Sequence, residues 1–193
     1  MKKNTPQEFP DVASLEAELH REKYRKRYRR ILRSTIYTLI TVAAAAVLVA
    51  TLLLPVLQIT GTSMTPTMVE GDIVVSMTSS HYQPGDVIAF YYDNKVLVKR
   101  VIATPGQWVD IDEDGNVYVD GELLDEPYVT EKAFGQCNIE LPYQVPESRF
   151  FVMGDHRSVS LDSRNTAVGC VSEEQIVGRL IFRAWPWERI GPV

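Results

Sequence analysis

Two polar side chains in this sequence could together perform nucleophilic catalysis. Ser63 lies in SMTPTMVEGD, shortly after a long apolar run, and Lys99 lies in the strand-like segment KVLVKRVI. A serine hydroxyl becomes an effective nucleophile when a neighbouring group accepts its proton. A lysine can be that base if it is buried, because desolvation can lower a lysine pKa by roughly 3–5 units. The sequence therefore offers a serine nucleophile and a lysine base.

Other arrangements of these residues remain open on pattern alone. His81 lies in a turn-rich segment and is expected to face solvent, whereas His156, which follows MGD, is a second candidate base. No G-x-S-x-G elbow surrounds a serine in this chain. Lys99 shares a strand face with Leu97 and Val101, so its amine is either desolvated or reaches solvent past apolar neighbours.

The sequence contains none of the usual motifs for binding a metal ion or a phosphate group. It contains no H-x-x-x-H motif, no close grouping of cysteine with histidine, and no glycine-rich phosphate loop. We therefore expect neither a metal nor any other cofactor. The two cysteines, Cys137 and Cys170, could form one disulfide or remain as thiols, and their spacing does not decide between these alternatives.

The segment before Ser63 is apolar and long enough to cross a membrane. It reads IYTLITVAAAAVLVATLLLPVL and carries no charge, whereas a helix needs about 20 apolar residues to cross the hydrocarbon layer. A cleaved signal peptide has an apolar core of about 7–15 residues and a much shorter polar segment before it. We therefore expect a retained transmembrane helix over residues 35–57.

The distribution of charge predicts how such a helix is oriented. Up to Arg33 there are ten Lys/Arg against five Asp/Glu, and the remaining residues hold ten against twenty. Positively charged flanks stay in the cytoplasm, so residues 1–34 are expected to be cytoplasmic and residues 58–193 extracytoplasmic. The acidic balance of the C-terminal part argues against a nucleic-acid partner. The basic run REKYRKRYRRILR is then a topology signal that also contacts anionic lipid.

The residues after the apolar segment have the pattern of a β-domain. Short runs rich in β-branched and aromatic residues recur, among them DIVVSM, DVIAFYY, WVDI, RFFVMGD and QIVGRLIF, and turn residues separate them. VSEEQI is the one candidate for a helical turn. We predict a mainly β fold, an antiparallel, barrel-like catalytic domain preceded by one transmembrane helix. A peripheral extension is expected over about residues 107–148.

Four segments of the chain resemble, in order, the signature boxes of the bacterial type I signal peptidases. They are SMTPTMVEGD (Ser63–Asp72), GDVIAF (Gly85–Phe90), KRVIATPG (Lys99–Gly106) and MGDHRSVSLDSR (Met153–Arg164). The resemblance implies a membrane-bound serine endopeptidase that removes N-terminal signal peptides from exported preproteins through an acyl-enzyme. In that scheme Ser63 is the nucleophile and Lys99 the general base. A single span is similar to the shorter, Gram-positive-like members.

The resemblance also implies supporting roles in the last box. Ser160 matches a serine that hydrogen-bonds the lysine and orients it, and Asp162 and Arg164 match an ion pair that supports the site. We expect Asp155 and Arg157 to stabilise the same turn.

This chain departs from the family pattern at His156 and at Gly61. Relatives usually have an asparagine where His156 stands, so the resemblance implies no catalytic histidine. Gly61 replaces a hydroxyl residue that in some members donates to the oxyanion. The backbone N–H of Ser63 is then the surest oxyanion donor.

The implied substrates and surroundings follow from the same resemblance. An extended preprotein could pair with strand edges near QITG and VLVK, which would place alternate side chains in shallow pockets. Ile59, Met64 and Val98 are candidate pocket residues, although each could equally be ordinary core. The expected location is the bacterial cell membrane, and the expected partners are signal-peptide-bearing preproteins, the lipid bilayer and the secretion translocon.

Several apolar side chains are candidates for contact with lipid. Met64 and Met68 lie shortly after the apolar segment, and Trp185 and Trp187 are of the type found at membrane interfaces. The two tryptophans could instead pack onto the β-core.

Two other functions compete with the peptidase. A self-cleaving repressor-type protease uses a similar Ser/Lys pair but carries a DNA-binding region in place of a span. A catalytically inactive, membrane-anchored β-domain could instead bind partners.

Overall fold

The structure is a computed structural model, and it describes residues 11–193. Residues 1–10, which belong to the predicted cytoplasmic segment 1–34, lie outside the described residues. The chain divides into two units at Ala50 and Thr51. The described part of the first unit is helical, and the second contains the strands.

The helix α1 (Val12–Leu53) is 42 residues long. By length and composition, the stretch Leu15–Val49 includes a segment that is apolar enough to cross a membrane. The helix ends four residues before the predicted end of the span at residue 57. Pro55 explains this end, because a proline has no N–H to donate and disfavours helical geometry in the residue before it.

A strand-rich domain follows the helix. The strands, in chain order, are β1 (Val56–Gln58), β2 (Ile73–Met77), β3 (Val87–Tyr92), β4 (Lys95–Ala103), β5 (Trp108–Ile111), β6 (Val117–Val119), β7 (Glu122–Leu123), β8 (Tyr143–Gln144), β9 (Arg149–Met153), β10 (Val171–Ser172), β11 (Ile176–Trp185) and β12 (Gly191–Pro192). All strand pairs are antiparallel. The predicted mainly β, antiparallel fold is confirmed.

The strands form two sheets. The larger sheet has the order β1-β2-β11-β3-β4-β9-β10, and β12 pairs with β11. The smaller sheet has the order β7-β6-β5-β8, and its strands fall within the range 107–148 that was predicted as a peripheral extension. The predicted turn at VSEEQI is a short 3₁₀ helix, Glu173–Gln175.

A tight hairpin places Lys99 in the sheet. Asp93 and Asn94 join β3 to β4, and Asp93 has a φ of 50°. Left-handed residues of this kind occur in the two-residue turns whose twist matches that of paired strands. The turn fixes a register that pairs Lys99 with Ile88. Because Ile88 is fully buried, the backbone of Lys99 lies in the interior of the domain.

The core of the large sheet surrounds the segment that carries Ser63. One buried cluster includes Ile59, Met64 and Met68 from this segment together with Val74 and Leu180 from β2 and β11. A separate cluster joins β4 and β9 to the small sheet. The residues next to Ser63 are therefore part of the domain core.

Candidate active site

The segment before Ser63 is held by backbone pairing. Ile59 N–H donates to the Asp72 carbonyl at 2.8 Å, and Gly71 N–H donates to the Ile59 carbonyl at 2.9 Å. The buried Asp72 carboxylate forms ion pairs with Arg183 at 3.2 Å and Arg189 at 2.6 Å. Both ends of the segment 59–72 are thus fixed together and tied to the C-terminal part of the domain.

Ser63 lies in a compact turn inside this segment. Thr65 N–H donates to the Thr62 carbonyl at 3.1 Å, and Met68 N–H donates to the Met64 carbonyl at 2.9 Å. Met64 and Met68 are 2% and 0% exposed, so they anchor the turn in the core. The expectation that these two methionines contact lipid is therefore wrong. Ser63 itself is half-buried.

Lys99 meets Ser63 across 36 residues of sequence. The Lys99 Nζ lies 2.7 Å from the Ser63 Oγ, within hydrogen-bonding distance. It also donates to the Val98 carbonyl at 3.1 Å. Lys99 is 3% exposed, so the alternative that its amine reaches solvent is wrong. The sequence offered a serine and a lysine, and the fold places them in direct contact.

The surroundings of Lys99 make its amine a usable base. Burial lowers the pKa of Lys99 to about 8, while the carboxylates of Asp162 and Asp155 act in the opposite direction and Arg164 lowers the pKa further. At this pKa about one amine in ten is neutral at pH 7, compared with well under 1% for a free lysine. Desolvation is thus the main cause of the shift.

His156 does not occupy the position of a base. Its Nδ1 lies 3.3 Å from the Thr62 carbonyl oxygen, whereas the Ser63 hydroxyl faces Lys99. His81 is exposed. The Ser63 hydroxyl therefore contacts Lys99 and not His156, and the role of Lys99 as the base stays a prediction.

The loop that follows β9 packs directly against the serine turn. His156 N–H donates to the Ser63 carbonyl at 3.1 Å. A Cβ on Gly154 would lie 2.5 Å from that carbonyl oxygen and 2.3 Å from the Ser160 Oγ. Contacts under 3 Å of this kind are not tolerated, so a glycine is required where the loop approaches Ser63 so closely.

Asp162 and Arg164 form a buried ion pair at 2.8 Å. The Asp162 carboxylate also accepts the Gly154 N–H at 3.0 Å. The Arg164 guanidinium donates to the backbone carbonyls of Phe134 at 2.8 Å and Arg157 at 2.9 Å. The pair therefore connects the loop behind Ser63 to the segment that joins β7 and β8 of the small sheet.

Ser160 is close to the site but does not make the expected contact. It is buried, and its hydroxyl has no hydrogen-bond partner among the residues that the structure describes. The Lys99 amine is instead engaged by Ser63 and Val98, and Ser160 packs beside Gly154. The implied hydrogen bond from Ser160 to Lys99 is not formed, and an orienting role for Ser160 stays a prediction.

Asp155 and Arg157 have partners that the sequence did not indicate. Asp155 accepts two hydrogen bonds from Arg100, at 2.9 and 2.7 Å, and the Tyr128 ring covers the guanidinium with its centroid 3.9 Å from Arg100 Cζ. Arg157 forms a buried ion pair with Glu126. The paired residues are 55 and 31 positions apart in the sequence, so no local pattern could have revealed them.

A groove of about 330 Å³ leads to Ser63 and Lys99. The three predicted pocket residues, Ile59, Met64 and Val98, all line it. One wall is formed by β1 and the residues after it, and β1 is an edge strand of the sheet. The other wall is residues 95–99 of β4, because β9 pairs with β4 only from Arg100 onward. The groove thus lies between two strand edges.

The N–H of Ser63 donates to no acceptor among residues 11–193. The carbonyls of Thr62 and Ser63, on either side of this N–H in the chain, both accept hydrogen bonds. Gly61, at a φ of 83°, lines the groove beside it. The arrangement leaves one backbone donor next to the hydroxyl.

The remaining candidate residues lie away from this centre. Cys137 and Cys170 are free thiols, so the disulfide alternative is not realised. Burial raises the pKa of the Cys170 thiol to about 11. Trp185 and Trp187 are 45% and 72% exposed and contact each other edge to face with centroids 5.9 Å apart. Neither tryptophan is packed into the β-core.

A buried lysine in contact with a serine hydroxyl, beside an open groove, is the arrangement expected of a serine hydrolase. The family described as "Signal peptidase, peptidase S26" matches residues 32–185. The chain belongs to this family, whose members are peptidases. The resemblance seen in the four sequence boxes is confirmed.

Two curated relatives agree with this assignment. The chain is 39% identical over 143 residues to a probable signal peptidase I-1 of Synechocystis, covering 67% of this chain and 70% of the relative. It is 32% identical over 165 residues to a signal peptidase I of Bacillus licheniformis, covering 79% and 88%. A crystal structure of a signal peptidase I from Enterococcus faecalis matches with 28% identity and a TM-score of 0.45, covering 53% of this chain and 99% of that one.

Proposed function

We propose that this protein removes N-terminal signal peptides from exported preproteins, with Ser63 as nucleophile and Lys99 as general base. The observation that carries this proposal is the 2.7 Å separation between the Ser63 Oγ and a lysine amine that is almost fully buried. The names of the relatives supply the substrate class. The lowered pKa of Lys99, about 8, supports its proposed role, because part of the amine is then neutral near neutral pH.

The reaction proceeds through an acyl-enzyme in two halves. Neutral Lys99 takes the proton of Ser63 as its oxygen attacks the scissile carbonyl, and the resulting ammonium donates a proton to the leaving amine. The signal peptide is then esterified to Ser63. Lys99, neutral again, removes a proton from a water molecule that attacks the ester, and it then gives this proton to the Ser63 oxygen as the ester bond breaks. No proton is gained or lost by the enzyme over the cycle.

The developing oxyanion is bound by the N–H of Ser63. This donor is preorganised, because the turn around it is fixed by hydrogen bonds and by the buried methionines. Loss of one oxyanion donor typically costs about 2.7–4 kcal/mol of transition-state stabilisation. Since Gly61 has no side-chain hydroxyl, the Ser63 N–H carries more of this task in this chain.

The substrate binds as an added strand in the groove. Leu57 of β1 pairs with β2, and Ile59, just after β1, pairs with Asp72, just before β2. The backbone groups of Gln58 and Thr60 therefore point to the opposite side, as in any antiparallel ladder. An extended peptide can pair with this edge and with residues 95–99 of β4. Ile59, Met64 and Val98 then border the sites that receive alternate side chains of the peptide, and their small apolar space favours small residues.

The membrane arrangement follows from the charges and the apolar helix. Residues 1–34 remain in the cytoplasm, the span follows, and the catalytic domain lies on the outer side of the bacterial cell membrane. Preproteins that emerge from the secretion translocon present their cleavage sites on that side. The exposed tryptophans, Trp185 and Trp187, are suited to the membrane interface.

Cleavage of a purified preprotein by the full chain in lipid vesicles tests the proposal. Ser63→Ala removes the nucleophile and Lys99→Ala the base, so we expect both variants to lose activity by a factor of about a thousand or more. Lys99→Arg should be equally inactive because an arginine there keeps its proton. Lys132→Ala, a change at an exposed lysine in the extension, serves as the control and should cleave at the wild-type rate.

The outcomes of this assay separate the proposed function from its main competitor. If the wild type leaves preproteins intact while still binding them, the chain is an anchored β-domain that binds partners. If Lys99→Arg cleaves normally, a base other than Lys99 must accept the serine proton.

A further inference from the structure

His156 holds two successive backbone carbonyls of the serine turn. Its ring Nδ1 lies 3.3 Å from the Thr62 oxygen, and its backbone N–H donates to the Ser63 oxygen at 3.1 Å. A carbonyl oxygen can only accept a hydrogen bond, so the Nδ1 that faces it carries the proton. Thr62 thus receives one hydrogen bond from inside its turn, from Thr65 N–H, and one from His156 outside it.

The Thr62 carbonyl and the Ser63 N–H belong to one peptide group. This group is planar and, in the trans form, its C=O and N–H point in opposite directions. A donor that fixes the direction of the carbonyl therefore fixes the direction of the N–H. The same hydrogen bond polarises the peptide group, which makes its N–H a stronger donor.

The Ser63 N–H is the group that receives the oxyanion in the proposed reaction. A donor contributes fully to transition-state binding when its direction is set before the charge develops. Gly61 has no side-chain hydroxyl that could act as a second donor. If the Ser63 N–H points in the wrong direction, residue 61 therefore cannot replace the lost hydrogen bond to the oxyanion.

The geometry points to His156 as a positioning residue that aims the oxyanion donor through the Thr62–Ser63 peptide. This inference rests on the proposed function, and it concerns a residue at which the chain departs from the asparagine of the resembling box. His156 itself touches neither the hydroxyl nor the amine of the catalytic pair. Its effect is expected on binding of the negatively charged oxygen and not on proton transfer to Lys99.

Three substitutions separate a positioning hydrogen bond from simple packing. The side-chain nitrogen of asparagine is attached to Cγ, as Nδ1 is in histidine, so His156→Asn keeps a donor at the same place. His156→Leu keeps a similar volume without a donor. His156→Asp places an acceptor against the Thr62 carbonyl and should repel it. The backbone N–H to Ser63 is retained in all three variants.

Kinetics of the full chain in vesicles give the first readout. We expect kcat to fall about tenfold in His156→Leu, and further in His156→Asp, with KM changed less than twofold. His156→Asn should recover most of the wild-type kcat. The rise of kcat/KM with pH should keep its midpoint in every variant, because Lys99 is untouched.

Two inhibitors give a readout that packing alone would not move. A signal-peptide-derived peptide aldehyde adds to Ser63 and forms an oxyanion, whereas the matching peptide alcohol binds the same groove without one. The affinity for the aldehyde should fall in His156→Leu by the same factor as kcat/KM, and the affinity for the alcohol should stay within twofold. Thermal unfolding of each variant reports whether the fold is retained.

Three results would overturn the inference. The first is a wild-type kcat in His156→Leu, and the second is an equal loss of affinity for the aldehyde and the alcohol in that variant. The third is an equal loss of activity in His156→Asn and His156→Leu, because the hydrogen bond would then not be the cause. If the wild-type protein fails to cleave preproteins, the proposed function itself is wrong. Cleavage by the wild type therefore shows whether a negative result concerns His156 or the proposed function.

Discussion

Lys99 combines a buried position with a chemical task that requires the loss of its charge. Its amine is shielded by the sheet, and burial lowers the pKa of Lys99 to about 8 despite the opposing carboxylates. A desolvated lysine gives up its proton readily, whereas an arginine in the same place would not. The neighbouring residue Arg100 shows the contrast, since it is buried as a charged group in a two-bond pair with Asp155.

The pKa of Lys99 predicts how cleavage depends on pH. Because the neutral amine is the active form, kcat/KM should rise about tenfold per pH unit below pH 8 and level off above it. The measurement is a pH profile of preprotein cleavage under conditions where the protein stays folded. A rate that is flat from pH 6 to pH 10 would contradict a lysine base.

The sequence was informative about single residues that carry chemistry but not about the groups that hold them. Ser63 and Lys99 could be proposed because their boxes resemble a known family. The burial of Lys99 could not be deduced from alternation alone, since both faces of its strand are apolar and each carries one cation. The contact of His156 with Thr62 depends on how the last box folds back, and its spacing of 94 residues leaves no local trace.

The loop after β9 positions the catalytic pair at the scale of an element. It approaches the Ser63 carbonyl so closely that only a glycine fits at position 154. The Asp162–Arg164 pair then secures the other end of the loop to the segment around Phe134. The resemblance predicted this ion pair, but it could not indicate which backbone groups the arginine would bind.

Adding one methyl group to this loop should displace it from the serine turn. In Gly154→Ala the new Cβ would meet the Ser63 oxygen and the Ser160 hydroxyl, so we expect cleavage to fall at least a hundredfold, since small misplacements in an active site have effects of this size. Gly191→Ala is the control, because a Cβ there meets no atom within 4 Å. Preprotein cleavage by both variants is the measurement, and normal cleavage by Gly154→Ala would contradict the proposed packing.

The small sheet is tied to the active-site loop by a buried ion pair. Glu126 lies between β7 and β8, and Arg157 lies in the loop after β9. Both side chains are fully shielded from solvent. The peripheral extension predicted for residues 107–148 therefore supports the loop behind Ser63, a connection that the sequence alone did not reveal because the two charges are 31 residues apart.

Removing one member of this pair should be costly. Glu126→Ala leaves the Arg157 guanidinium buried without its carboxylate, and such losses typically lower the free energy of unfolding by about 3–5 kcal/mol. Thermal or denaturant unfolding measures the effect. Glu122→Ala, at an exposed carboxylate of β7, is the matched control. A change below about 1 kcal/mol in Glu126→Ala would show that the pair is not needed for stability.

The whole molecule joins an apolar helix to an acidic β-domain. The fold class could be predicted because the hydrophobic pattern changes sharply after the apolar run. The exact end of the helix could not be predicted, since the apolar composition continues past Leu53 to Leu57 in β1. Pro55 lies between the end of the helix and the start of β1, within a segment that is apolar on both sides of it.

The basic residues before the span should set its orientation. Replacing Arg27, Arg29, Arg30 and Arg33 with glutamine should increase the fraction of molecules whose C-terminal domain stays in the cytoplasm. Replacing Glu16, Glu18 and Glu22 with glutamine is the control, because acidic residues contribute little to this rule. Protease protection in intact and lysed spheroplasts measures the two orientations, and an unchanged distribution in the arginine variant would contradict the assignment.

The groove between the β1 edge and the unpaired half of β4 has a consequence for turnover. In the proposed reaction an incoming peptide temporarily completes the sheet, and hydrolysis divides this guest strand into two shorter pieces. Each piece retains only some of the main-chain bonds that held the intact segment, so both depart more easily than the substrate did. A backbone mimic that cannot be severed would keep the full ladder and block the enzyme.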